Sequence, residues 1–342
     1  MRPLPADRPT PGDLQQSHLR CALQQHAARG GPLQQSYLRA IPPQHPHDLA
    51  ATPADRQDAA EPHRLFVAPA LLLYGVYILY PVVISIWYSL LQWNGIGAAR
   101  FIGLDNWARL FHDETILGSL RNTLVILVGS FVFEIPIGLG VALLLQRLGR
   151  LGTILSSIYI VPVLVSSVAI GIIWGFLYNP QFGPLYYIYN AFGQQAPGLL
   201  GSSTYAIFAV TIVIVWQFIP LYVLLFNAGL LGIPAELYEA ASIDGASGWT
   251  RFRHITIPLL RRTFVTASVL IVTGALVYFD LIYVMTGGGP GNASYTLAMY
   301  IYRAAFQNQD VGYGSAIAML LFIISFIISG LIIRFSRLLQ EH

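Results

Sequence analysis

Two carboxylates stand inside apolar stretches that otherwise carry no charge. Glu134 is the single charged residue of segment 122–146, and Asp280 is the single charged residue of segment 263–286. A charged side chain inside a bilayer is costly, so such residues usually line a substrate or ion pathway or pair with a neighbouring helix. Glu134 is therefore interpreted either as a pathway residue or as a group that hydrogen-bonds an adjacent helix.

Aromatic residues accompany Asp280 along its segment. Phe279 and Tyr283 are one helical turn apart, so their spacing predicts that they share a face. Carboxylates bind the hydroxyl groups of sugars, and aromatic rings pack against the apolar faces of sugar rings. We predict that Phe279, Asp280 and Tyr283 line a substrate pathway, with a bracing or capping role for Asp280 as the alternative. Trp216 is a further stacking candidate, and its alternative is an interfacial or packed position.

A short helix–turn–helix is predicted in the polar segment 232–260. Pro234 suits the start of a helix, and Gly245 permits the sharp turn that ends it. Ser247 can cap a second helix, which Pro258 is expected to stop before the next apolar segment. Because this segment is too small to fold alone, it is expected to dock onto another protein.

Six apolar segments are long enough to position these residues in a membrane, since a spanning helix needs about 20 residues. The predicted spans are about 65–91, 122–146, 152–178, 204–231, 263–286 and 311–333. Residues 1–63 are rich in proline and glutamine and are expected to form a disordered cytoplasmic extension. Residues 64–342 are expected to form the membrane domain.

The arginines predict the orientation of these spans. All 19 basic residues are arginine, and 15 of them fall on the side of the N-terminus, against four on the other side. Basic residues accumulate in cytoplasmic loops. Both termini and the segment 232–260 are therefore predicted to be cytoplasmic.

Several kinds of chemistry are excluded by composition. Without lysine the chain has neither a P-loop nor a Schiff-base site. The single Cys21 and the isolated His254 give no metal site, and a net charge of +3 without clustered arginines gives no nucleic-acid surface. The run Gly287–Gly291 lacks the spacing of a dinucleotide-binding loop, and we interpret it as a turn. We therefore predict no catalytic residue, no metal and no cofactor.

The segment 232–260 resembles the EAA loop of ABC importer permeases. The matching residues are Glu239, Ala240, Ala241, Asp244, Gly245, Pro258 and Leu259. Four further elements resemble the carbohydrate-uptake permeases of the maltose and glycerol-phosphate type. They are Phe101–Trp107, Arg121–Thr123, Tyr178–Pro180 and Phe279–Asn292. The resemblance covers about residues 64–338.

This resemblance implies an all-α membrane protein with six transmembrane helices and a cytoplasmic coupling helix, the type I ABC importer permease fold. It implies a bacterial cell-membrane complex with a second homologous permease, two ATP-binding subunits that hold the ATP, and an external solute-binding protein. The residues to which it assigns ATPase coupling are Glu239, Ala240, Ala241, Asp244, Gly245 and Pro258.

The expected function is permeation of a sugar, and the permease itself is not expected to be an enzyme. Glycerol phosphate, a polyamine or an amino acid is the alternative solute. An ion-coupled secondary carrier that uses Glu134 and Asp280 is a competing class of transporter, but it would leave the docking segment 232–260 without a purpose.

Overall fold

The computed structural model describes residues 61–338. The predicted N-terminal extension, residues 1–63, lies outside this range except for its last three residues, which begin helix α1 (Glu61–Tyr74). The chain divides into two compact units, with the boundary between Tyr74 and Gly75.

The second unit is mostly helical in its described part. Its α-helices are, in chain order, α2 (Tyr80–Ser89), α3 (Asp105–His112), α4 (Glu114–Arg147), α5 (Arg150–Tyr159), α6 (Val161–Leu164), α7 (Ser167–Leu177), α8 (Pro184–Ala191), α9 (Ala206–Leu231), α10 (Ala235–Ile243), α11 (Gly248–Arg251), α12 (Ile257–Leu259), α13 (Arg261–Val277), α14 (Asp280–Thr286), α15 (Leu297–Tyr302) and α16 (Val311–Leu338). Three π-helical turns occupy Gly75–Leu79, Phe252–Thr256 and Arg303–Gln307. Two short strands, β1 (Leu91–Gln92) and β2 (Arg100–Phe101), pair antiparallel after α2.

Within residues 61–338, four helices are long and apolar enough to cross a membrane, and there are up to six spans if each of two bent pairs counts as one. The four are Val67–Ser89, Glu114–Arg147, Ala206–Leu231 and Val311–Arg334. The bent pairs are Arg150–Leu164 with Ser167–Leu177 and Gly248–Leu259 with Arg261–Val277. The fold is that of an all-α membrane protein, as predicted.

Two of the predicted spans are not continuous helices. The predicted span 152–178 bends by 90° between Leu164 and Ser167, because Val165 and Ser166 have extended backbone. The predicted span 263–286 breaks at residues 278–279, between α13 and α14.

Helices α4 and α9 pack along each other and form the centre of the bundle. Two glycines of α4 permit this close packing. A Cβ atom on Gly129 would lie 2.6 Å from the Thr211 side chain, and one on Gly138 would lie 2.9 Å from Tyr222. Buried residues of α13 and α14 complete the core around α4 and α9. The helices that carry the predicted pathway residues Glu134, Trp216 and Asp280 therefore pack together.

Candidate functional site

The segment 232–260 projects from the bundle as a short helix and a turn. Helix α10 begins after Pro234 and has no buried residue. It ends at Ile243, and Gly245 follows with a φ of +76°, a left-handed conformation that glycine adopts easily. The predicted sharp turn at Gly245 is therefore confirmed. The predicted cap is also confirmed, because the Ser247 hydroxyl accepts a hydrogen bond from the Thr250 N–H at 3.2 Å.

The second helix differs from its prediction. Helix α11 covers only Gly248–Arg251 and continues through a π-helical turn into α12. Pro258 does not stop it before residue 256 as expected, because the helical stretch runs through Pro258 to Leu259. The direction changes two residues after Pro258, at Leu260, which precedes α13.

Two hydrogen bonds hold α10 against the chain that follows it. The Tyr238 and Thr256 hydroxyls are 2.9 Å apart, and the Arg251 guanidinium donates to the Ser242 hydroxyl at 2.7 Å. Tyr238 also lines a cavity of about 590 Å³ between this segment and helices α4 and α9. The helix is therefore anchored through Tyr238 and leaves its other face uncovered.

The uncovered face carries the residues of the EAA resemblance. Glu239, Ala240, Asp244 and Gly245 are exposed, as is Pro258, and Ala241 is half-buried. Large apolar side chains lie beside them, including Ile243, which is 87% exposed, and Trp249, which is 68% exposed. Neighbouring exposed apolar side chains of this size indicate a surface that a partner covers.

The predicted pathway residues Phe279, Asp280 and Tyr283 meet at the break between α13 and α14. The Phe279 and Tyr283 rings are stacked, with centroids 5.2 Å apart, which confirms that they share a face. Asp280 is exposed at the first position of α14. The carbonyl of Tyr278, which the break frees, accepts a hydrogen bond from the Thr296 hydroxyl at 3.1 Å.

Glu134 does not join this group. Its side chain is fully buried in α4, and among the described residues neither carboxyl oxygen has a hydrogen-bond partner. The hydroxyls of Ser130 and Tyr222 face it from α4 and α9. A pathway role for Glu134 stays a prediction.

Trp216 also lies apart from the Phe279 group. Its ring packs edge-on against Trp174, with centroids 5.4 Å apart, and it lines an apolar groove of about 790 Å³ between α4 and α9. The contact with Trp174 fits the packed position given as the alternative, and stacking of Trp216 on a substrate stays a prediction.

The opposite end of the bundle is held by a carboxylate that composition alone did not single out. Asp113 accepts hydrogen bonds from the hydroxyls of Tyr300 and Tyr313, each at 2.5 Å. Partial burial raises the pKa of Asp113, but the tyrosine and Thr115 hydrogen bonds outweigh it and bring the pKa below its ordinary value. Burial and the bond to Asp113 raise the pKa of Tyr300 to about 12.

Two asparagines of the resemblance elements fix the loops at this end. Asn106 donates to the carbonyls of Ser89 and Leu91 at 3.0 and 2.9 Å. Asn122 donates to the carbonyls of Ala293 and Tyr295 at 2.9 and 2.8 Å. These contacts satisfy buried backbone groups at the ends of helices and loops, which gives both residues a structural role.

A protein-family model and several known proteins match this chain. The family of binding-protein-dependent transport system inner membrane components matches residues 134–339, more than half of the chain. A probable ABC transporter permease protein of Pyrococcus horikoshii is 33% identical over 267 residues, which are 77% of this chain and 91% of that protein.

Relatives whose names state a substrate also match. The trehalose/maltose transport system permease protein of Thermococcus litoralis is 36% identical over 261 residues, 76% of this chain and 88% of that protein. The sulfoquinovosyl glycerol transport system permease protein of Agrobacterium fabrum is 33% identical and covers 80% of this chain and 89% of its own length.

The fold has a solved counterpart. A bacterial ABC transporter involved in the import of the acidic polysaccharide alginate contains a chain that superposes with a TM-score of 0.72. The sequence identity is 19%, and the match covers 82% of this chain and 98% of that chain. This likeness establishes the type I importer permease fold that the resemblance implies.

Proposed function

Because this chain belongs to the family of binding-protein-dependent transport system inner membrane components, we propose that it forms the translocation pathway of an ATP-driven carbohydrate importer. The chain is a membrane-spanning permease subunit of an ABC transporter. Its proposed partners are a second, homologous permease, two ATP-binding subunits and a solute-binding protein outside the cell. In this assembly the partner subunits bind and hydrolyse ATP.

The proposed orientation places both termini and the segment 232–260 in the cytoplasm. The arginine distribution supports it, with 15 arginines on that side and four on the other. In this orientation the exposed face of α10 points to the compartment that contains ATP, and the break at residues 278–279 belongs to the outer half of the bundle.

The uncovered face of α10 is the proposed contact with an ATP-binding subunit. Glu239 is exposed at its centre, and Ile243 extends from the same helix. We assign Glu239 to an ion pair with a basic residue of that subunit. Because α10 is anchored to the rest of the chain by Tyr238 and Arg251, force on Glu239 is transmitted to the bundle.

One observation carries the carbohydrate assignment. The stacked Phe279 and Tyr283 rings and the exposed Asp280 lie together at an interruption of a span, so an aromatic face and a hydroxyl-binding carboxylate are available side by side. The names of the relatives from Thermococcus litoralis and Agrobacterium fabrum, which concern sugars or sugar glycosides, point the same way.

The proposal is tested with the whole complex in proteoliposomes. We expect a labelled sugar to accumulate only when ATP is enclosed with the ATP-binding subunits and the liganded binding protein is on the other side. Replacing Asp280 by Asn should lower uptake while assembly is kept, because an amide still binds hydroxyls but lacks the charge. Accumulation driven by a proton or sodium gradient without ATP would establish a secondary carrier instead.

The solute class has its own test. The partner binding protein is titrated with neutral sugars, glycerol 3-phosphate, spermidine and amino acids in a calorimeter. Binding of a sugar supports the proposal, and selective binding of any other compound would replace carbohydrate by that solute. The gradient experiment and this titration fail independently, so energy source and substrate are judged separately.

A further inference from the structure

The aromatic pair of the proposed pathway is part of a longer series of rings. Tyr302, the last residue of α15, lies 5.1 Å from Phe279 and 5.3 Å from Tyr283 between ring centroids. Phe306 continues the series, with its ring 5.6 Å from that of Tyr302. Four rings from two distant parts of the chain thus pack in one series, which we call the aromatic ladder (Phe279, Tyr283, Tyr302 and Phe306).

The backbone explains why the ladder extends beyond α15. The chain from Arg303 to Gln307 forms a π-helical turn, and the Asn308 N–H donates to the Arg303 carbonyl at 2.8 Å. Phe306 lies on this turn, four residues after Tyr302. Phe306 is 72% exposed, so its ring is uncovered in this chain.

Amide side chains follow the exposed end of the ladder. Gln307, Asn308 and Gln309 are all exposed, and each carries two donors and an acceptor. Amide donors and acceptors that directly follow aromatic residues in the chain match a ligand with many hydroxyl groups and apolar ring faces. They match a phosphate or an ammonium ion less well, because binding such an ion needs several side chains of the opposite charge.

We propose that Tyr302 and Phe306 form a second sugar-binding subsite next to Phe279 and Tyr283, so that the transported carbohydrate contains at least two sugar rings. This inference rests on the proposed function and assigns a size to its substrate. Tyr302 touches both rings of the first subsite, so it joins the two subsites. Phe306 provides the outer stacking surface.

The size of the substrate is tested first. The partner binding protein is screened against neutral mono-, di-, tri- and tetrasaccharides of glucose, galactose, mannose and N-acetylglucosamine. Binding of sugars with two or more rings is expected. Binding of monosaccharides alone would overturn the second subsite but leave the carbohydrate importer standing, whereas binding of no sugar would count against the proposed function itself.

The residues are tested by comparing sugars of different length in the reconstituted complex. Phe306→Ala should lower kcat/KM for uptake of the longest transported sugar by about two- to tenfold, the effect of losing one stacking contact, and should affect the shortest sugar less. Phe306→Tyr keeps the ring and should transport like the unsubstituted protein. Phe111→Ala is the matched control, because Phe111 is 84% exposed on α3 and outside the ladder.

A protein partner would give a different result. If the binding protein or the second permease covers Phe306, Phe306→Ala will weaken assembly or binding of the unliganded binding protein, and all sugars will lose uptake equally. Equal losses at every length, or no loss at any length, would overturn the subsite.

Discussion

The turn at Gly245 provides a controlled test of coupling, because the chain contains a second exposed glycine nearby. Gly245 has a φ of +76°. Gly248, three residues later, begins α11 and lacks a positive φ. A Cβ atom added at either position would meet nothing within 4 Å. Alanine therefore changes only backbone strain at Gly245 and changes little at Gly248.

The size of this strain follows from the backbone. An alanine in the left-handed region costs about 1–2 kcal/mol, and the lower entropy of the unfolded chain offsets about 0.4–1 kcal/mol at most. Each hydrogen bond that anchors α10, such as Tyr238 to Thr256, contributes about 0.5–1.5 kcal/mol. The strain is therefore comparable to the loss of one anchor, and it disfavours the turn by up to about 5- to 30-fold.

The assay is ATP hydrolysis by the reconstituted complex, with and without the liganded binding protein, measured beside sugar uptake. Gly245→Ala should reduce both stimulated hydrolysis and uptake, and Gly245→Val should reduce them further, because β-branched residues resist a positive φ. Gly245→Asn should lose less than Gly245→Ala, since asparagine tolerates this conformation. Gly248→Ala should behave like the unsubstituted protein, and equal behaviour of the two alanine variants would refute the role of the turn.

Three further predictions address the docking face, the opposite end and the orientation. Glu239→Lys should abolish uptake and stimulated hydrolysis and be worse than Glu239→Ala, because it places like charges together. The control variant Glu236→Lys, on the same helix, should keep most activity. Normal uptake in Glu239→Lys would disprove the docking role. Asp113→Asn keeps an N-cap side chain but loses the charge that accepts two tyrosine hydrogen bonds, each worth about 1.5–3 kcal/mol, so the midpoint of thermal unfolding should fall at pH 7. Because the pKa of Asp113 is lowered in the folded protein, its contribution is present above about pH 4 and is lost as the pH falls below that value; a deficit that stays constant into acid would contradict this. In a cysteine-free background, an impermeant thiol reagent should label a cysteine at position 190 in intact cells but not one at position 247, and labelling at 247 would reverse the orientation.

Residues close together in sequence were predicted most successfully. The Gly245 turn, the Ser247 cap and the Phe279–Tyr283 pair each depend on spacings of at most four residues, and all three appear in the structure. Local backbone geometry decides such features, so the sequence contains the information needed to predict them.

Contacts between distant residues were missed for a physical reason. Asp113 and Tyr313 are separated by 200 positions, and Tyr302 reaches Phe279 only because the chain turns back after α14. No periodicity links such pairs. One indirect signal in the sequence could have pointed to Tyr302 and Phe306. They are four residues apart, like Phe279 and Tyr283, and they are directly followed by three residues with amide side chains.

The interruptions of the spans were also missed, because the length of an apolar segment does not tell whether its helix is straight or bent. Segment 152–178 carries no charge and is predominantly apolar, yet two extended residues at 165 and 166 turn it by 90°. In segment 263–286, the break depends on Thr296, a residue outside the segment whose hydroxyl binds the freed carbonyl of Tyr278. A helix can therefore end inside an apolar run when another part of the chain satisfies its backbone.

Helix α13 lies between the segment 232–260 and the break at residues 278–279. The helix begins at Arg261, immediately after the segment 232–260, and ends at Val277, beside the aromatic ladder. Its 17 residues span about 25 Å at 1.5 Å per residue. Leu260 and Ala267 are fully buried, and Gly229 of α9 lies against Thr263, so the end next to the segment 232–260 is tightly held.

Helix α13 therefore connects the end of the segment 232–260, which carries the face proposed to contact an ATP-binding subunit, with the residues proposed to contact the sugar. A displacement of α10 acts on α13 through the bend at Leu260, where the direction changes by 63°. Because α13 is a regular helix from Arg261 to Val277, we expect such a movement to reach Tyr278 and Phe279 without an intermediate hinge. The break at residues 278–279 separates Phe279 from α13, so we expect the stacked rings to reorient while the core against α4 stays packed. The proposed coupling would in this way join ATP-driven motion at one end of the chain to exposure of the proposed sugar-binding residues at the other.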